Sequence, residues 1–326
     1  MSTFPPAHSA LPAHAPIAVQ TRGDLVESIH YGSVVVLDPA GDVVFGRGEP
    51  EAAFYPRSAL KPLFAAGMLR AGSALTPEQL ALASASHSGS RRHLAVAGST
   101  LSAAGLDEGA LANSLDLPYG PSERAEWLRA GHGASRLAQN CSGKHAALVA
   151  LCVRRGWPVS GYLDPHHPVA ALLSESVREL TGEEPVAVST DGCGTPVHAV
   201  SLSGIARAFG LIAAAPAGTP ERAVADAMRS HPELVAGEER DVTALMRAVP
   251  GIVAKDGFEG VQVAALPDGT AVAVKVSDGG DRARMPVAAG ALAAALGGHA
   301  ALERFSSVTV LGGGQRVGEL TGLALR

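Results

Sequence analysis

GSVVVLDPAGDVVFG, residues 32–46, decides how this chain begins to fold. Two apolar, β-branched runs, 32–38 and 42–46, flank Pro39-Ala40-Gly41, the pattern of an antiparallel hairpin. Upstream, 17–21 reads as another strand. Downstream, the period becomes helical at RSALKP, residues 57–62, with Leu60, Leu63, Phe64 and Met68 on one stripe. Pro62 belongs in the first turn of that helix, where its missing N–H is harmless, so the spacing predicts a helix starting near Ser58. Ser58 and Lys61 then share a face, and a hydroxyl can meet an amine. Taken alone, S-x-x-K is more simply an N-cap serine followed by a solvated lysine. Its meaning depends on the rest of the chain.

Helical patterns continue over 77–85, 91–104, 142–155 and 168–180, while 107–140, with Pro118, Gly120 and Pro121, looks irregular. Strand signals return at 186–190 and around Val197, then helices at 202–209, 220–229 and 241–249. Three strands follow at 251–255, 260–266 and 271–276, the last two joined by Pro267-Asp268-Gly269. An Ala-rich helix, 285–296, and a short strand, 308–311, close the pattern, with Gly312-Gly313-Gly314-Gln315 as a turn. Strands at both ends and helices between predict an α/β (α+β) fold. It is a mostly antiparallel sheet (about 17–57 and 186–326) with an inserted helical block (about 58–185). The crevice between the two is the natural site.

The 326 residues are 47% hydrophobic and 4% aromatic with 38 glycines, which requires a large core of small side chains at close approach. A net charge of -5 provides no basic field and excludes nucleic acid as the expected partner. No apolar run approaches the ~20 residues of a membrane helix, so no membrane partner is expected either. Residues 1–16, rich in Pro, Ala and His with no basic start, read as a disordered tail rather than a signal peptide. The rest, 17–326, is long enough for one large domain or two intimately packed ones. Three cysteines, Cys141, Cys152 and Cys193, without an export signal point to reduced thiols in the cytoplasm. Cys152 lies in an apolar run and reads as core. Cys141 and Cys193 sit in polar, Gly-rich surroundings that packing does not explain.

The chemistry-bearing residues gather in clusters. They are Arg57-Ser58-Ala59-Leu60-Lys61, Ala85-Ser86-His87-Ser88-Gly89, Asn140-Cys141-Ser142-Gly143-Lys144-His145, Asp191-Gly192-Cys193-Gly194 and Lys255-Asp256-Gly257. Serine needs a base to become a nucleophile, and a lysine serves when burial or a second positive charge favours its neutral form. A second lysine such as Lys255 could supply that charge. Serine–lysine hydrolases of the penicillin-recognising type carry S-x-x-K, then a serine motif in the helical part, then a Lys-Thr-Gly strand. Here the three come in that order, with Lys255-Asp256-Gly257 in the third place. Cys141 and Lys144 are again three apart, and Cys193 lies in a glycine-flanked loop. Two thiolates and a neutral amine suit zinc, although two unrelated thiols fit the same spacing. His8, His14, His166 and His167 read as surface residues.

Together these clusters resemble the L-asparaginase II family, the thermolabile, Rhizobium-type class. The matching segments begin with Thr21-Arg22-Gly23, Val26-Glu27-Ser28 and Pro56 through Pro62. They continue through the Ser86, Cys141, Asp191 and Lys255 clusters to Lys275-Val276 and Asp278-Gly279. The match spans about Val19 to Ala289, and its specific part is the Asn140-to-His145 run. Asp24 stands where many members have Gly, and the loop after Gly72 looks short. The resemblance implies a fold like serine β-lactamases and glutaminases, a homodimer, and hydrolysis of L-asparagine to L-aspartate and ammonia. It also implies two tandems, Ser58 with Lys61 and Ser86 with Lys255, and one zinc per chain on Cys141, Lys144 and Cys193 that supports site geometry. The substrate's carboxylate and ammonium require a cation and an anion, for which Arg57 and Asp191 are the expected residues, with Gly192 and His145 beside the substrate. A glutaminase, another serine–lysine or penicillin-recognising hydrolase, and a silent zinc-binding regulatory protein are the alternatives.

Overall fold

The computed structural model describes residues 11–323. Strands β1 (Ala15–Arg22), β2 (Leu25–Leu37) and β3 (Val43–Arg47) open it, all antiparallel. The expected hairpin is the second half of β2 with β3, in register Val34↔Arg47 and Val36↔Phe45. Asp38 closes its turn, its carboxylate accepting from the N–H groups of Ala40 and Asp42 at 2.9 Å each. β2 is longer than expected because residues 25–32 pair with β1. The expected tail is corrected at its end: Ala15 and Pro16 lie in β1 opposite Gly32 and Tyr31, and the Ala13 N–H donates to Glu49 at 2.7 Å. Residues 1–10 of that expected tail, His8 among them, lie outside the described residues.

A 3₁₀ turn over Arg57–Leu60 leads into α1 (Lys61–Arg70). The helix therefore starts at Lys61, not Ser58, and Ser58 is no N-cap. Pro62 still falls in the first turn, as its missing donor requires. Eight of the ten α1 residues are buried, Lys61 included, so α1 is a core helix and not a one-sided stripe. Five more helices follow: α2 (Pro77–Ala83), α3 (Arg91–Ala103), α4 (Pro121–Arg129), α5 (Ser142–Arg155) and α6 (Pro168–Thr181). Capping boxes of Thr76 with Gln79 and Ser90 with His93 start α2 and α3. Helix α4 lies inside the segment expected to be irregular; Gly120-Pro121 is its start signal.

Strands β4 (Ala187–Thr190) and β5 (Pro196–Ala199) form a separate hairpin, so the main sheet does not resume at residue 186 as expected. Helices α7 (Leu202–Ala214), α8 (Pro220–Ser230), α9 (Pro232–Val235) and α10 (Asp241–Ala248) come next. Helix α8 packs on α1 and α2, which extends the helical block past its expected limit. Then come β6 (Val253–Gly257), β7 (Val261–Ala265), β8 (Ala271–Val276), α11 (Arg284–Ala295), α12 (Ala300–Glu303), β9 (Ser307–Gly312) and β10 (Gln315–Gly322). The expected glycine turn joins β9 to β10.

The fold is α/β (α+β) with an antiparallel main sheet in the order β6-β7-β8-β2-β1-β10-β9, and β3 beside β2. Every position of β6 and β7 is buried, so both faces are covered, unlike a sheet with one wet side. Helices α7 and α11 pack on these strands. Small residues permit the approach: a Cβ on Gly210 of α7 would lie 2.6 Å from the Gly269 carbonyl oxygen.

Candidate active site

The end of β6 meets the turn that carries Ser58. Gly257 makes this possible, since a Cβ there would lie 2.3 Å from the Pro56 carbonyl oxygen. Arg57, next to Ser58, has φ 54°, a left-handed conformation that costs a non-glycine residue about 1–3 kcal/mol and is commonest at functional sites. Ser86 lies on the loop after α2, pinned by backbone bonds from the N–H groups of Ser86 to Val235, His87 to Asn140 and Ser88 to Ala236. His87 Nε2 also meets Ser142 Oγ at 2.9 Å, tying this loop to the start of α5. Gly143 lets α5 reach α2: a Cβ there would meet the Leu82 carbonyl oxygen at 2.5 Å. Gly143→Ala is therefore expected to destabilise by about 1–3 kcal/mol through overpacking. Helix propensity alone would stabilise it by about 1 kcal/mol. A urea midpoint equal to or above wild type would refute the contact.

These elements surround a cavity of about 270 Å³ lined by Arg57, Ser58, Ser86, Asp191, Gly192 and Asp256, with Cys141 and Cys193 in the wall. Three lysines lie behind it, at most 1% exposed. Lys61 Nζ donates to the Ala85 carbonyl at 2.5 Å and to Ser86 Oγ at 3.1 Å. Lys255 Nζ donates to the same Ser86 Oγ at 3.0 Å and to Asp256, at 2.7 Å to its carbonyl and 2.6 Å to Oδ1. The expected pairing is thus redrawn: Lys61 donates to Ser86 rather than Ser58, and one serine bridges both lysines. Ser58 is half-buried on the cavity wall, whereas Ser86 is 4% exposed. Burial pushes the Lys255 ammonium down to about 8, with Lys61 and Arg240 adding to this and Asp256 opposing it. Burial alone would raise the Asp256 carboxyl, but Lys255, Arg240 and Arg284 outweigh it and hold the group far below the carboxylate range.

Arg57 Nε and Nη2 each lie 2.7 Å from Asp191 Oδ1 across the cavity mouth, and the Arg57 guanidinium lies 5.3 Å from the centre of the Phe258 ring. The two residues expected to hold a zwitterion are therefore paired with each other. His145 does not line the cavity, which corrects its expected place beside the substrate. It is fully buried, its Nδ1 is 2.7 Å from the Tyr162 hydroxyl, and burial lowers it to about 4. Ser114, Asp116, Tyr119 and Asp281 also line the cavity and were not expected. The first three lie in the segment that looked irregular, where no spacing pattern marks them.

Cys141, Lys144 and Cys193 do come together. Lys144 Nζ is 3.2 Å from Cys193 Sγ and 2.6 Å from Thr195 Oγ1. The neighbouring Cys141, with Lys144 and His145, holds Cys193 far below the thiol range against the effect of burial. Cys193 and burial push Cys141 well up, and its thiol donates to Asn140 Oδ1 at 3.2 Å. Burial would lower the Lys144 ammonium, but Cys193, Cys141 and Asp191 outweigh it and raise the group, so two sulfurs and an ammonium converge in a buried wall. Among the described residues no cluster of three or more His, Cys, Asp or Glu is placed to hold a metal, so a metal here would need the Lys144 amine. Two sulfurs and one nitrogen, once deprotonated, fit the preferences of zinc.

A model of the family described as L-asparaginase II matches residues 18–322. The chain belongs to the L-asparaginase II family. No curated protein sequence matches it. Among solved structures, a β-lactamase from Mycobacterium bovis is 16% identical at a TM-score of 0.41, with 77% of this chain and 88% of that one covered. EstCE1, a hydrolase with promiscuous acyltransferase activity, is 15% identical at 0.38, with 76% and 88% covered. At such identities and scores the likenesses carry no meaning for substrate. Membership of an asparaginase family makes the protein a hydrolase. Among the described residues no helix is long and apolar enough to cross a membrane.

Proposed function

We propose that the protein is an L-asparagine amidohydrolase. The observation that carries this reading is the cavity of a family member in which Ser58 faces a serine bridged by two buried lysines, below an Arg57–Asp191 pair. The α-carboxylate of asparagine meets Arg57 and its α-ammonium meets Asp191, so the zwitterion joins the existing ion pair as a second pair. Ser58 Oγ attacks the side-chain amide carbon, and its proton passes by way of Ser86 Oγ to Lys61, whose Nζ lies 3.1 Å from that oxygen. Collapse of the tetrahedral intermediate breaks the C–N bond, and ammonia leaves with a proton relayed through Ser86. Water then attacks the aspartyl ester, Lys61 takes its proton, and Ser58 regains its own as L-aspartate leaves. Lys255 stays charged throughout and holds Ser86 in place.

Turnover of L-asparagine, L-glutamine and a chromogenic β-lactam by the purified chain tests the substrate. Ammonia release fastest from asparagine is expected. Preference for glutamine or the β-lactam would replace the reading with another serine–lysine hydrolase. A folded, zinc-loaded and inert protein would make it a regulatory one.

Cys141, Lys144 and Cys193 would hold one zinc, whose positive charge steadies the cavity wall and the substrate beside it. Cys141→Ser or Cys193→Ser is expected to take zinc from roughly one per chain to near zero in elemental analysis of dialysed protein. Occupancy should also fall as pH drops, because every ligand must lose a proton. Metal-free native protein would overturn the assignment. The three cysteines are unpaired, which supports a reducing, cytoplasmic location, as fractionation would test. A homodimer is proposed on the family resemblance, and light scattering giving a monomer mass would reject it.

A further inference from the structure

We infer that Asp256, held in place by Arg240, clamps Lys255 against Ser86 as an ammonium, and that Asp256 and Arg240 are positioning residues for the reaction. This rests on the reading of Ser86 and Lys255 as a proton relay. The geometry is local and complete. An ammonium has three donors, and those of Lys255 are spent on Ser86 Oγ, the Asp256 carbonyl and Asp256 Oδ1, at 3.0, 2.7 and 2.6 Å. The other oxygen of that carboxylate, Oδ2, accepts from Arg240 Nη2 at 2.6 Å. One carboxylate therefore binds a cation at each end.

Arg240 comes from a different part of the chain, the residue before α10, and its guanidinium lies 4.8 Å from the centre of the Tyr119 ring in the cavity wall. Asp256 is 7% exposed, so its charge is not diluted by water. An ion pair so buried is poor value for stability alone, since hydrophobic residues of similar size often do as well. Fixing one lysine in its charged form next to a serine is a use for it. Among the described residues Lys61 has no carboxylate partner, only the Ala85 carbonyl and Ser86. The clamp thus makes two otherwise similar lysines unequal. The groups that face Lys255 and Asp256 are Lys61 from α1, Arg240, Arg284 from α11 and Tyr119 from the loop before α4.

The test reads the Lys255 charge directly. The ¹³Cε resonance of Lys255, assigned by its loss in Lys255→Arg, is titrated from neutral to alkaline pH in the full chain. Asp256→Asn should lower the midpoint by about 1 pH unit or more, because a contacting opposite charge is gone. Asp256→Glu should restore most of it, and Arg240→Met should raise it, because a like charge is removed while Asp256 stays. If Asp256→Asn fails to fold with Arg240 left unpaired, the double variant Asp256→Asn with Arg240→Gln replaces it. That variant should also titrate below wild type, since the lost carboxylate is the nearer charge. The basic limb of kcat/KM for asparagine should move with the resonance. An unmoved midpoint in the Asp256 variants overturns the clamp. A moved midpoint with an unmoved pH profile overturns its part in the reaction. Wild type that does not hydrolyse asparagine defeats the functional reading instead, and the resonance still decides whether the clamp exists.

Discussion

Ser58→Ala is expected to lower ammonia release from L-asparagine by about 10³-fold or more, the scale seen when a hydrolase loses its nucleophile. The protein should remain folded, because Ser58 is half-buried on a turn and caps no helix. Ser86→Ala is the necessary companion, since loss of a proton relay alone costs about 10²–10⁴-fold and overlaps in size. The two serines differ in ways that separate them. Ser86 is 4% exposed and its oxygen accepts from both Lys61 and Lys255, which suits a proton conduit and blocks an approach to carbon. Ser58 faces the cavity beside the strained Arg57. Mass spectrometry of acid-quenched wild-type enzyme should therefore find an aspartyl adduct on the peptide that carries Ser58, and none in Ser58→Ala. An adduct mapped to Ser86 would exchange the two roles and overturn the mechanism.

How much of this was legible in the residues depended on whether a signal was local. The β2–β3 hairpin announces itself through β-branched runs around Asp-Pro-Ala-Gly-Asp, and Asp38 closes the turn through its own side chain. Residues 25–31 belong to the same strand but alternate weakly; pairing with β1 makes them a strand, and that partner is not local. The 186–199 segment shows why strand signals do not assign sheets. Its two runs pair with each other and leave the main sheet alone. At the site, the clusters were visible but their wiring was not. A three-residue spacing placed Lys61 under Ser58, yet the 3₁₀ turn rotates Ser58 away from the helix that begins at Lys61, and the amine turns to Ser86. Asp256 was in view as the middle of a three-residue run. Its weight appeared only with Arg240, sixteen residues away and without any motif of its own.

Lys61→Arg carries the other large expectation: activity as low as in Lys61→Met, about 10³-fold or more below wild type. A base must give up its proton to work, and a guanidinium does not do so in a protein. Arginine keeps the charge and loses the function, so equal damage from Arg and Met assigns Lys61 to proton transfer. Lys255 should behave in the opposite way. Its proposed part is to stay charged beside Ser86 and Asp256, so Lys255→Arg should keep a clearly larger share of activity than Lys255→Met. Both sites are fully buried, so thermal unfolding must accompany the kinetics. Removing Lys61 leaves the Ala85 carbonyl without its donor, a cost of about 1–3 kcal/mol that a chain of this size can absorb. Loss confined to kcat/KM with the fold intact is the expected result for Lys61. An active Lys61→Arg enzyme would show that Lys61 acts through its charge, and the base would then have to be sought in Lys255.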